Sequence, residues 1–208
     1  MTKRLVRRVL AGTAAALAAL LATTAAMAAT TWTVRPGGVV TAKFGSVTVR
    51  DANTGFVVTC PSTLKATLKS GTGLPGTGIG SVSSFTFGTC TGPLGFTYTL
   101  MLSHLPDTLN ATSYESSTGT TTAKITGMHG TFVGPSCSYV LDGTGASQDD
   151  GTITVTYVNG TGKLQFLASG NLHVYDLQGG CFGLVNSDDH LTLSASGTVT
   201  PAQAITSP

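Results

Sequence analysis

Residues 152–168 read TITVTYVNGTGKLQFLA. Ile153, Val155 and Tyr157 alternate with Thr152, Thr154 and Thr156, a period of two that puts apolar side chains on one face of an extended strand and hydroxyls on the other. Asn159-Gly160 follows, and this pair readily takes the positive backbone angles of a tight hairpin. Lys163–Ala168 then returns along the first strand. Ser169-Gly170 turns the chain once more into Asn171–Leu177, so residues 152–177 are expected to form a three-stranded meander.

The same alternation recurs on both sides of this segment. Phe96, Tyr98, Leu100 and Leu102 share a face, as do Phe85 and Phe87, and Leu191, Leu193, Ala195 and Val199; these are the expected core residues. Further strands are expected at Thr31–Arg35, Val39–Lys43, Val47–Arg50, Phe56–Cys60, Thr63–Lys69, Val82–Phe87, Phe96–Ser103, Ala123–Val133, Cys137–Leu141 and Leu191–Thr200. Ser70–Gly80, Pro106–Thr121 and Gly143–Gly151 lack an apolar period and read as irregular. Strands at this density, without helical periodicity, predict an all-β fold: an antiparallel β-sandwich, with a closed or partly closed β-barrel as the alternative.

The chain has 208 residues, a formal charge of +2 and four cysteines. Lys3, Arg4, Arg7 and Arg8 precede an apolar run from Val9 to about Leu21 and the small-residue site Ala26-Met27-Ala28, the three parts of a secretory signal peptide. Residues 1–28 are therefore expected to be removed, leaving 29–208 as one secreted domain. The remaining 180 residues hold seven basic and nine acidic side chains, a net charge of −2, which gives no support to a nucleic-acid partner. No later apolar run is long enough to span a bilayer as a helix. They also hold 33 threonines, 18 serines and 26 glycines, a composition of hydroxyl-faced strands joined by tight turns.

Cys60, Cys90, Cys137 and Cys181 are an even set in a chain bound for an oxidising compartment, so two disulfides are expected. Three pairings are possible. Cys60 with Cys90 and Cys137 with Cys181 close the shorter loops and are preferred. A zinc site is disfavoured because there is no C-x-x-C pair and no closely spaced pair of histidines.

Other chemistry-bearing residues are scattered. His104, His129, His173 and His190 lie more than ten residues apart and are read as surface or hydrogen-bonded side chains, with His173 facing outward from its strand. Asp149-Asp150 and Asp188-Asp189-His190 could gather around a cation, but their spacing is not that of an EF-hand and they read as solvated turns. Glu115 is the sole glutamate, which removes a Glu–Glu glycosidase pair. Gly71-Thr72-Gly73-Leu74-Pro75-Gly76 matches the dinucleotide fingerprint in letters, yet Pro75 and the glycines that follow open no helix. Trp32 is expected to plug a sheet end. Asn110 and Asn159 match the N-glycosylation acceptor pattern, and Asn159 is explained by its hairpin. No catalytic, cofactor-binding or metal-binding residue is assigned, and no cofactor.

Trp32-Thr33-Val34, Pro36-Gly37-Gly38, Phe87-Gly88-Thr89-Cys90, Ser136-Cys137-Ser138-Tyr139, Tyr157–Leu164, Gly180-Cys181-Phe182-Gly183-Leu184 and Thr198-Val199-Thr200-Pro201 together give the mature chain a family look. It resembles the secreted four-cysteine all-β proteins common in actinobacteria. That resemblance implies a bacterial, exported, disulfide-stapled protein, and its motifs are structural, so it carries no activity across. The expected function is a non-catalytic extracellular module for binding or surface interaction. A β-barrel carrier of a small apolar ligand is the alternative, and a secreted hydrolase using loop Asp and His is a weaker one.

Overall fold

The computed structural model describes residues 30–144 and 149–208; the expected signal peptide lies outside them. The described residues form fifteen strands: β1 Thr31–Arg35, β2 Gly38–Asp51, β3 Val57–Leu68, β4 Gly71–Pro75, β5 Gly80–Phe87, β6 Cys90–Thr91, β7 Thr97–Ser103, β8 Asp107–Glu115, β9 Thr120–Gly134, β10 Cys137–Asp142, β11 Gly151–Val158, β12 Lys163–Gly170, β13 Leu172–Gln178, β14 His190–Thr200 and β15 Ala204–Thr206. The fold is all-β, antiparallel and stapled by two disulfides, Cys60–Cys90 and Cys137–Cys181.

Three long strands, β3, β9 and β14, change neighbours along their length, while β2 keeps β3 on one side and β14 on the other throughout. Over one half the pairings run β2–β3–β5–β8–β9–β11–β12–β14 and back to β2. Over the other they run β2–β3–β6–β7–β9–β10–β13–β14 and return in the same way. The first circuit will be called the lower tier and the second the upper tier. Every strand of either circuit thus has a partner on both sides, which leaves no long edge for pairing with another chain.

Local sequence explains where the long strands bend. The β2–β3 register shifts between Phe44 and Val47, at Gly45-Ser46, and Pro61 sits in β3 where its partner changes from β6 to β5. A proline has no amide to give to a ladder, so it is tolerated at such a change of partner. The expected pairs Val39–Lys43/Val47–Arg50 and Phe56–Cys60/Thr63–Lys69 are therefore each one continuous strand.

Apolar side chains point into the circuits. Ile153, Val155, Tyr157, Tyr98, Leu100, Phe85, Leu191, Leu193 and Val199 are all buried, whereas Phe96 is not. On the outer face, Thr152, Thr154 and Thr156 stand beside Thr126, Lys124 and Thr122 of β9. An apolar inside and a hydroxyl outside is the reverse of a barrel that crosses a membrane. Among the described residues, no helix is long and apolar enough to cross one.

A three-stranded sheet, β15–β1–β4, lies apart from the circuits and buries Trp32, Val34 and Ile205 in the common core, as expected for Trp32. The Asn159 hairpin anchors it: the Asn159 amide bonds both the N–H and the carbonyl of Ile205, at 2.9 and 2.8 Å. Tyr157 Oη likewise donates to the Gln203 carbonyl and accepts from the Gln203 amide.

Several expectations need correction. Residues 152–177 are not a meander: β12 pairs with β11 and β14, while β13 leaves for the upper tier between β10 and β14. Gly71–Pro75 and Asp107–Glu115 are strands, not irregular segments. Both carry weak alternation because their burial comes from a few residues and their pairing from the backbone.

Candidate functional site

The two tiers are joined by chain crossings, and three of them bring polar residues to one seam on the outer wall. These are residues 104–106 between β7 and β8, Gly143–Thr144 and Asp149–Asp150 between β10 and β11, and Asn171 between β12 and β13. Strand register does the rest. Ser103 lies opposite His129, Leu141 opposite Gly130, Asp142 opposite His173, and His173 opposite His190. All four histidines of the chain thus stand in one cross-strand row with Asp142 in the middle, although the sequence disperses them over 87 residues.

At one end of the row the rings of His104 and His129 stack, with centroids 4.6 Å apart and planes inclined by 20°. His104 reaches this position with a φ of 61°, in the left-handed region that non-glycine residues seldom occupy. His129 Nδ1 lies 2.7 Å from Asp142 Oδ2, and His104 Nδ1 contacts Asp149 Oδ1. Because an ionised carboxylate can only accept, these contacts place the proton of each ring on Nδ1 and leave the lone pair on Nε2.

Asp142 is the structural pivot of the seam. Its carboxylate also accepts hydrogen bonds from the amides of Gly143, Asp149 and Asp150 at 2.7, 3.1 and 3.1 Å. Burial acts to raise its pKa, but the His129 and backbone donors outweigh burial and hold it below the usual value. Asp107, first residue of β8, has the opposite environment. It is 2% exposed, its Oδ1 has no hydrogen-bond partner, and burial together with the charge of Asp149 pushes it up to about 6. Asp150 Oδ1 is also buried without a donor.

At the other end, His173 and His190 have ring centroids 5.2 Å apart. Their nitrogens are engaged by backbone: His173 Nδ1 with the Asp188 carbonyl at 2.9 Å and His190 Nε2 with the Gly170 carbonyl at 3.2 Å. The expected outward orientation of His173 and the hydrogen-bonded role of all four histidines hold. Asp189 departs from the expected solvated turn; it is buried and accepts from the amide and side chain of Asn186. The glycine-rich 71–76 segment forms β4 and opens no helix. The Asn110 and Asn159 side chains are both tied into the fold by hydrogen bonds.

Beside Asp189 lies Asp51, fully buried, with its Oδ1 capping the Asn53 and Thr54 amides. Burial raises its pKa above the usual carboxylate value, and Asp189 adds to the effect. A carboxyl raised in the folded state contributes full stability only below its unfolded pKa of about 4 and loses it as pH rises through the folded value. Asp51→Asn keeps the turn acceptor and removes the charge. Its melting temperature should therefore match the wild type near pH 4 and exceed it at pH 7.5. Parallel melting curves across that range would contradict the assignment.

Two other features bear on function. The lower tier encloses an apolar cavity of about 70 Å³ lined by residues including Val40, Leu68, Ile79, Ile125 and Val155. At the upper end, the turns Pro93–Gly95 and Gly180–Gly183 expose Leu94 at 88%, Phe182 at 57%, Phe96 at 37% and Leu184 at 36%. Phe96 and Phe182 stack at 5.6 Å. This is why Phe96 is absent from the core: β7 begins one residue later, and its ring meets Phe182 at the rim.

Comparison with protein-family models, curated proteins and solved structures returns no match to this chain.

Proposed function

We propose that the protein is a secreted, non-catalytic surface-interaction module that docks a protein partner through the apolar tip of its upper tier. The tip carries this reading. Leu94, Cys181 and Phe182 all have positive φ, at 58°, 43° and 60°, and such positions persist only where the surroundings hold them. Here the disulfides do so, since Cys90 lies three residues before the first turn and Cys181 within the second. Rigid, exposed leucine and phenylalanine side chains on two stapled turns form the kind of apolar patch that marks an interface. Two disulfides agree with an oxidising compartment.

The alternatives have less support. Ligand pockets run to roughly 300–1,000 Å³, several times the 70 Å³ cavity within the lower tier, and the hollow of about 440 Å³ beside Pro61 and Phe87 is an open surface groove. For a hydrolase, His129 and Asp142 have the geometry of an oriented base, but among the described residues no serine or threonine hydroxyl is hydrogen-bonded to either of their side chains.

The test is photo-crosslinking from position 182, with position 163 on the opposite tier as control, during secretion from the producing cell. One partner should be trapped from 182 alone, and Phe96→Ser/Phe182→Ser should lower its affinity for the purified partner at least tenfold. Equal crosslinking from both positions, or unchanged affinity, overturns the reading.

A further inference from the structure

The His104–His129 end of the row has features that the surface-interaction reading leaves unused. One ligand atom from each of His104, His129 and Asp149 lies within 4.8 Å of the others. Two of these three residues hold left-handed backbone, His104 at φ 61° and Asp149 at φ 71°, an arrangement that turns their side chains toward each other. His129 shows the support typical of a metal-ligating imidazole, with Nδ1 bonded to a carboxylate that is itself fixed by three amides. His104 and Asp149 are about half exposed and His129 is 12% exposed, so an ion can enter from solvent.

The second, independent observation lies behind these three. Asp107 is 2% exposed and its Oδ1 has no donor. A Cβ placed on Gly127, which has φ +98°, would stand 3.5 Å from Asp107 Oδ1 and 3.8 Å from the Asp149 carbonyl oxygen. The missing side chain of Gly127 thus leaves a gap between Asp107 and Asp149. A buried carboxylate oxygen without a donor is costly, and a cation relieves that cost.

We propose that His104, His129 and Asp149, backed by Asp107, bind a first-row transition-metal dication of the zinc class. The donor set decides the class. Two imidazoles and carboxylates without a thiolate suit zinc and its neighbours, whereas calcium and magnesium take oxygen ligands throughout. At metal–nitrogen and metal–oxygen distances of about 2.0–2.2 Å, neighbouring ligand atoms stand roughly 3–3.5 Å apart, so Asp149 gives up its hydrogen bond with His104 Nδ1 to reach an ion held on the two Nε2 atoms. The ion then ties together His104 of the 104–106 crossing, His129 of β9 and Asp149 just before β11. These parts are already brought side by side by the ladders of β7, β10 and β11 with β9, so the site needs no large rearrangement of backbone to close on the ion.

The test uses tag-free full mature chain, freed of metal by chelation and titrated with Zn²⁺ by calorimetry. One equivalent should bind with a Kd of about 1 μM or tighter. His104→Gln/His129→Gln should weaken binding at least 100-fold and Asp107→Asn about tenfold, with far-UV circular dichroism unchanged. His173→Gln/His190→Gln should bind as the wild type does. Long-range ¹H–¹⁵N spectra of the wild type should show Nε2 of His104 and His129 shifting on zinc addition, a readout that needs no variant to fold. Wild-type binding weaker than 100 μM, zinc shifts confined to other histidines, or less than a threefold loss in His104→Gln/His129→Gln overturns the site.

Discussion

Replacing Phe132 by alanine is expected to lower the unfolding free energy by about 3–5 kcal/mol. Phe132 is fully buried in the upper tier, between Leu100 of β7 and Tyr139 of β10. Its ring stacks on Tyr139 at 4.7 Å, meets Tyr98 at 5.2 Å and takes an edge contact with Phe56 at 6.3 Å. Aromatic pairs of this kind add stability beyond the area they bury. The neighbours cannot close the gap, because Tyr139 and Tyr98 are fixed in opposite strands by their ladders. Val133 is the internal control. It is the next residue on the same strand but 42% exposed on the outer face, so Val133→Ala should change stability by no more than about 0.5 kcal/mol. Urea denaturation of both variants measures the contrast. A loss below about 1.5 kcal/mol for Phe132→Ala would show that the upper tier is loosely packed.

Removing the Cys137–Cys181 bridge as a double alanine variant should cost about 4 kcal/mol, and removing Cys60–Cys90 about 3.6 kcal/mol, by the loop-entropy relation for separations of 44 and 30 residues. For a domain of this size the first corresponds to a fall in melting temperature of roughly 8–16 °C. The two losses should differ in kind more than in size. Cys60 belongs to β3 and Cys90 to β6, in a pairing that also rests on the backbone contact between Thr59 and Thr91. Cys181 belongs to the 180–183 turn between β13 and β14. Without its bridge, cleavage by a protease should begin between residues 179 and 189, whereas loss of Cys60–Cys90 should leave that segment resistant. Equal cleavage patterns would show that the turn is held by other contacts.

Much of the fold was legible one strand at a time. Ile153, Val155 and Tyr157 alternate cleanly with threonine, and they are buried as the alternation required. The disulfide pairing followed the shorter loops. What failed were inferences about neighbours. Ser169 and Gly170 belong to β12 and the break comes at Asn171, and the strand beyond it steps to the other tier instead of pairing back on β12. Nothing local distinguishes those outcomes, since both use the same glycine and the same alternating strand. The strands Gly71–Pro75 and Asp107–Glu115 were missed for a related reason: their hydrogen bonds are supplied by β1, β5 and β9, which a local pattern does not contain.

The histidine row shows the same division most clearly. His173 was read as facing outward from its strand, because alternation within a strand fixes which way a side chain points, and the other three as surface or hydrogen-bonded side chains. The even cysteine set, and the expectation of an export signal whose removal would leave a net charge of −2, likewise depend only on residue identity and short-range order. That His104 stacks on His129, that Asp142 braces His129, and that Asp107 is left without a donor beside them were decided by register. Register is set jointly by pairings between strands tens of residues apart, so it exists only once both tiers have formed.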